Sequence, residues 1–303
     1  GRRNWIIYND CREGQLVSVV RHLDGRCEQV LPKPISTLHP NGEWALTLNF
    51  ARKWRLWPET GYGGTCDPWS SEPAPAEDGI IKLNLRTGKS DLLISFRQML
   101  DLDPDIPQRA PTYSFSHPLY NESGTRFAFW FFSQGIQGPD YTRQIRAYTA
   151  NEDGTDITFH AAPCSHTCWR GDDKLLVYVY AAAKGPRLDY RLFDTTTGTG
   201  EPYGEDILTF DGHSTFSPDK QWLLTDRPEY ANHIQNLCLF HPKTGTLHTL
   251  CRLPSRSEPA AGLRCHLHPR WSTSGTEVSI DSTHEGSWQI YTLDLSELLA
   301  KAT

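Results

Sequence analysis

The sequence predicts an all-β fold, a β-propeller of four-stranded blades, and three observations carry that prediction. A hairpin signature recurs along the chain, helical periodicity is nearly absent, and aromatic residues make up 11% of the 303 residues, ten of them Trp. Aromatics fit the pleated surface of strands. The recurring signature is a short β-branched or aromatic strand followed by a tight turn with Gly: LDGR at 23–26, RTGK at 86–89, EDGT at 152–155, TTGT at 196–199 and KTGT at 243–246. Gly there supplies the positive φ that a tight hairpin needs. The strands before these turns are LVSVVRHL, IIKLNL, IRAYTA, YRLFDT and LCLFHP, and a sixth, IYTLDL at 290–295, has no hairpin after it. Six such strands give about 50 residues per unit, the size of one blade.

The remaining elements follow in order. A second signature precedes another strand in each unit: PNGEWALTLNF, ESGTRFAFWFF, GDDKLLVYVY, SPDKQWLLTD and TSGTEVSIDS. Each unit then reads first strand a, turn, strand b, loop, strand c, turn, strand d. Only SFRQMLDL at 95–102 and SELLAKA at 296–302 read as helices. Two β-sandwiches would use similar strands, but would not repeat one unit over the whole length. The expected domain is one propeller over 1–303 with an incomplete N-terminal blade. Residues 5–31 supply b, c and d without a, and 266–295 supply a, b and c without d. The chain also starts at Gly1 rather than Met. These features predict that about one blade precedes it in a seven-bladed parent.

Composition excludes two partner classes. A net charge of -6 and a pI of about 6.1 give no basic footprint for nucleic acid. No apolar run reaches the roughly 18 residues of a membrane helix, so no membrane partner is expected. The eight cysteines (11, 27, 66, 164, 168, 238, 251 and 265) form no C-x-x-C pair and read mostly as core thiols. The single methionine is Met99. A cytoplasmic location is expected, with the periplasm as the alternative.

Aligned on their first strands, four units read HPLY (117–120), HTCW (166–169), HSTF (213–216) and HPRW (268–271). In the earliest complete unit Ile35 takes the place of the histidine. Strand a is innermost in a propeller, so these imidazoles are expected to converge on one funnel, with His266 on the same side as His268. Neutral imidazole is the commonest metal-ligand side chain and titrates near neutrality. His166 and His117 are therefore candidate bases. The b–c loops are expected at the same mouth. The longest, 49–79, carries Arg52, Arg55, Trp57 and Tyr62. The others carry Tyr141 and Arg143, then Arg187, then Arg227 and Tyr230, then His284 and Glu285. Arg and Tyr clustered on one face of an acidic chain suit an anionic ligand, and exposed Trp and Tyr suit sugar rings. Arg52, Arg55, Tyr62, Tyr141, Arg227 and Tyr230 are the expected substrate-binding residues.

The segments GHSTFSPDKQWLLTD (212–226) and RCHLHPRWSTSGTEVSIDSTHEGSWQIYTLDL (264–295) resemble the repeats of TolB-type β-propellers, with their PxWSPDG-like turn and "QIY" strand. With histidines at the starts of the first strands, the chain most resembles the oligogalacturonate lyase branch. That resemblance implies a divalent metal, manganese in that family, on His213, His266 and His268. The family's fourth protein ligand has no match here. The family abstracts its proton with an arginine, and Arg143 and Arg187 join His166 and His117 as candidate catalytic residues.

Two function classes follow. The first is β-elimination on an acidic, uronate-containing oligosaccharide. It needs a neutralised carboxylate, a base at C5 and an acid at the C4 oxygen. The second is a non-catalytic TolB-like propeller that binds a protein or glycan, because the fold alone does not decide function. No G-x-S-x-G elbow marks a serine hydrolase.

Overall fold

The computed structural model describes residues 4–26, 28–108, 110–134, 144–180, 189–255, 257–258 and 263–302. The chain divides into two compact units, 1–162 and 163–303. Each is made of antiparallel meanders.

The first unit holds three sheets. β1 (Trp5–Arg12), β2 (Gln15–His22) and β3 (Glu28–Leu31) form the first, in chain order. The second comprises β4 (Thr37–Leu38), β5 (Trp44–Thr47), β6 (Gly79–Asn84) and β7 (Ser90–Ser95). The third comprises β8 (Thr112–Tyr120), β9 (Arg126–Gln134), β10 (Gln144–Asn151) and β11 (Thr158–Ala161). Helix α1 (Phe50–Leu56) sits in the long β5–β6 loop, and α2 (Phe96–Leu102) follows β7. Phe115, Phe127, Phe129 and Phe131 pack with Phe96, Met99, Tyr113 and Tyr148. Burying each such ring contributes about 1.5–3 kcal/mol. Phe127–Ser133 of β9 are buried on both faces. That explains an apolar run, FAFWFF, where a half-exposed strand would alternate.

The second unit repeats the plan. β12 (Cys164–Arg170), β13 (Lys174–Val179), β14 (Asp189–Asp194) and β15 (Gly200–Tyr203) form one sheet. β16 (Thr215–Phe216), β17 (Leu223–Glu229), β18 (Ile234–His241) and β19 (Thr246–Pro254) form the next. A short ribbon, β20 (Ser257–Glu258) with β21 (Leu263–Arg264), precedes a three-stranded sheet of β22 (Arg270–Trp271), β23 (Glu277–Ser282) and β24 (Gln289–Asp294). Helix α3 (Ser296–Ala302) ends the chain. One core joins Tyr178, Tyr190, Leu192, Phe216 and Phe240, and another joins Leu224, Leu237, Leu239, Val278 and Ile280.

All five turn glycines expected from the sequence take positive φ, from 67° at Gly245 to 83° at Gly154. Each lies between the third and fourth strands of a unit, or their equivalents in the first sheet. The expectation that only two segments are helical is corrected by α1. Asn49 caps it, its side chain accepting from the Arg52 N–H at 2.9 Å. A helix this short presents too few turns for its period to be read. Of the seven described cysteines, all free, Cys164, Cys168, Cys238 and Cys265 are buried as expected, whereas Cys11 and Cys66 are exposed. Among the described residues no helix is long and apolar enough to cross a membrane.

Candidate functional site

The four register histidines share one local geometry. The aromatic three residues beyond each one pairs with the second strand: Tyr120 with Phe127, Trp169 with Leu175, Phe216 with Leu223 and Trp271 with Val278. At the histidine the ladder breaks. The β8–β9 register shifts between Ser116 and Leu119, and that of β12–β13 between Ser165 and Thr167. A bulge re-aims the side chain it releases from pairing. His213 and His268 lie just before β16 and β22. His117 and His268 take φ of 49° and 41°, a conformation non-glycine residues hold only where their surroundings impose it.

In the second unit the expected metal residues come together. One potential ligand atom from each of His213, Asp226 and His266 lies within 4.8 Å of the other two. The His213 ring is 5.1 Å from that of His266 and 4.1 Å from that of His268. Asp226, the member absent from the sequence reading, is 1% exposed. Its Oδ1 accepts from the His213 backbone N–H at 2.7 Å, and its Oδ2 lies 3.0 Å from His213 Nδ1. Burial opposes ionisation of this carboxyl, but the side-chain and backbone hydrogen bonds from His213 outweigh it and hold the pKa at about 2. Gly212 makes the approach feasible, because a Cβ there would meet the Asp226 carbonyl oxygen at 1.9 Å. The buried Tyr190 hydroxyl fixes the same glycine, donating to its C=O and accepting from its N–H. Burial, and then repulsion from His213, bring the His268 imidazole down to about 4. The ring is therefore neutral near pH 7, the form that ligates metals.

A second device adjoins this cluster. The His166 ring stands 4.3 Å from that of His213, and its Nδ1 lies 2.6 Å from Asp211 Oδ1. Asp211 also accepts from Ser165 Oγ at 2.5 Å and from the Tyr180 hydroxyl at 2.8 Å. Burial would raise the Asp211 pKa, but these partners, His166 foremost, lower it. The carboxylate fixes the Nδ1–H tautomer of His166 and leaves Nε2 as its basic nitrogen, as in a His–Asp dyad.

The remaining candidates divide. Arg227 stacks over the Phe210 ring at 5.6 Å and lies 3.8 Å from Glu229, and Tyr230 is 63% exposed. In the first unit His117 is exposed, its ring tilted against that of Trp130 with centres 3.9 Å apart. Tyr62 is exposed, its hydroxyl accepting from Asn9 at 3.0 Å. Arg55 is partly exposed and donates to Ser70 O and Asp67 Oδ2. Arg52 is a correction. It is 0% exposed, and its guanidinium donates to the carbonyls of Pro73, Trp69, Glu72 and Tyr113 while facing Asp67 and Asp78. It holds the long loop together and has no face left for a substrate. Tyr141, Arg143 and Arg187 lie outside the described residues.

Two residues of the candidate site, Asp226 and Asp211, were not expected from the sequence, yet both had a signal. A carboxylate recurs 13 residues after the register histidine in His213/Asp226 and His268/Asp281. Asp281 Oδ2 lies 3.8 Å from His268 Nδ1. Asp211 stands two residues before a register histidine.

No protein-family model matches the chain, and no curated protein matches it. Solved structures do. An oligogalacturonate lyase in complex with manganese aligns over 98% of this chain and 87% of its own, with TM-score 0.53 and 10% identity. The β-propeller domain of the trilobed protease from Pyrococcus furiosus, described as having an open velcro topology, aligns over 97% and 79%, with TM-score 0.58 and 11% identity. An acylaminoacyl peptidase from Pyrococcus horikoshii aligns over 97% of this chain, with TM-score 0.59 and 12% identity, and this chain spans only 44% of that one. These likenesses show the fold. The protein is an all-β propeller of six blades; among the described residues the first and last have three strands and the others four.

Proposed function

We propose that this chain cleaves uronate-containing oligosaccharides by metal-assisted β-elimination. The observation that carries the proposal is the packing of the His213–Asp226–His266 cluster against a His–Asp dyad. Two imidazoles and a buried, ionised carboxylate, with the neutral His268 beside them, fit a divalent transition metal such as manganese. Asp226 is positioned either to ligate the ion or to orient His213 toward it. Bound there, the ion would offset the charge of a substrate carboxylate and so make the proton on the adjacent C5 removable.

His166 then takes the C5 proton at Nε2, and Asp211 stabilises the imidazolium that forms. The electron pair left at C5 becomes the C4–C5 double bond as the C4–O bond breaks. The departing oxygen takes a proton from solvent. Arg227 and the exposed Tyr230, in the same unit, are suited to a second carboxylate and a sugar ring. Arg55 and Tyr62 offer the same chemistry on the long loop of the first unit.

The test is the appearance of an unsaturated uronate chromophore from pectic, alginate-like and glucuronate-containing oligosaccharides, with manganese and after chelation. Product is expected from at least one substrate in the presence of metal, and it should vanish in His213→Ala. Tight glycan or protein binding without product from any substrate would establish the non-catalytic propeller instead. The likeness to an acylaminoacyl peptidase of which this chain spans only 44% makes that the alternative to exclude.

A further inference from the structure

We infer that Lys53 and Ser116 fix the proton of His117 on Nε2, which makes that nitrogen the donor of the ring. The chain of contacts lies wholly in the first unit. α1 turns Lys53 inward, where it is 5% exposed. Its ammonium lies 3.0 Å from Ser116 Oγ and 5.6 Å from the centre of the Phe50 ring. Among the described residues no carboxylate pairs with it. Asp67 and Asp78 on the same loop are engaged by Arg52, Arg55 and Asn49. A buried ammonium without a counter-ion is costly, and its one hydroxyl partner is therefore informative.

An ammonium has three donors and no acceptor, so Ser116 Oγ must accept from Lys53. Ser116 is 0% exposed and has one hydrogen to give. Its other neighbour is His117 Nδ1, at 2.7 Å. The hydroxyl hydrogen therefore goes to Nδ1, which must be the unprotonated nitrogen, and the neutral ring carries its proton on Nε2. The reverse arrangement would point Lys53 and an Nδ1–H at one oxygen and leave the Ser116 hydrogen without an acceptor among the described residues, a buried loss. The ring packs at a tilt against Trp130, with ring centres 3.9 Å apart, and has Trp57 at 6.0 Å. Burial lowers the Lys53 ammonium to about 8, so the relay is intact near neutral pH. Lys53 and Ser116 are thus positioning residues for His117.

Nitrogen-15 imidazole spectra of histidine-labelled protein near neutral pH test the inference, with His117→Gln used to assign the ring. The wild type should show His117 as the single Nε2–H tautomer. Lys53→Met and Ser116→Ala should each turn it into a mixture of tautomers, with thermal melts confirming that the variants fold. Should Lys53→Met fail to fold, Ser116→Ala reads the same relay. A wild-type ring protonated on Nδ1, or variants with an unchanged tautomer, would overturn it. The readout needs neither metal nor substrate, so its failure leaves the lyase reading standing, and an inactive but metal-loaded protein leaves the tautomer result standing.

Discussion

His117 and His166 begin from the same local design and end in opposite chemical states. Each follows a serine, each is released from its ladder by a bulge, and each has that serine's hydroxyl on Nδ1, at 2.7 Å and 3.2 Å. What stands behind the serine differs. Asp211, behind Ser165, accepts only, so His166 Nδ1 carries a hydrogen and Nε2 is basic. Lys53, behind Ser116, donates only, so His117 Nδ1 accepts and Nε2 carries the hydrogen. A repeat can thus supply one imidazole twice and let a single neighbouring charge decide whether it takes or gives a hydrogen.

The largest expected effect comes from the carboxylate side. Asp211→Asn removes the acceptor that fixes His166, and turnover on an unsaturated-product assay should fall by about 10²–10⁴-fold with little change in KM. A change in KM alone would mean that His166 binds rather than transfers protons.

Two buried cations on α1 give the next pair. Arg52 is wholly buried and donates to four backbone carbonyls, so Arg52→Ala leaves those carbonyls without their donor, removes the cation facing Asp67 and Asp78, and should cost about 3–5 kcal/mol in denaturant unfolding. Among the described residues Lys53 has no carboxylate partner, and its folded pKa of about 8 lies below the ordinary 10.5. Between these values the unfolded chain binds the extra proton, so wild-type stability rises with pH across that window. Lys53→Met should therefore stabilise by about 3 kcal/mol near neutrality, and the gain should shrink as pH rises from about 8 toward 10.5. A destabilised Lys53→Met would show that the amine has a partner that offsets its burial. Smallest is Asp226→Asn, which leaves the imidazoles in place and should weaken metal affinity by about 10–100-fold.

The blade order, the turn glycines, two of the three helices and the histidine register were legible in the sequence, because a repeat encodes its turns and strand phases locally. Of the proposed metal histidines, His213 and His268 were legible through the same register and His266 through its place two residues before His268. Asp226 was not, because an aspartate inside a strand carries no local mark of a partner until β17 lies beside the residues before β16 and His213 donates to it. Arg52 misled for the complementary reason. A loop arginine reads as exposed, and only folding of 49–78 around it reveals four carbonyls waiting for its guanidinium. Lys53 was hidden inside α1, a helix too short to announce its buried face.

The central claim is that the histidine cluster of the second unit is a metal centre. Elemental analysis of the purified protein after manganese loading and desalting, beside the double variant His213→Ala/His266→Ala, tests it most directly. The expected result is about one divalent ion per wild-type chain and none in the folded double variant. A wild type that retains no metal, or a double variant that retains as much, would contradict it and leave the cluster a structural array of imidazoles.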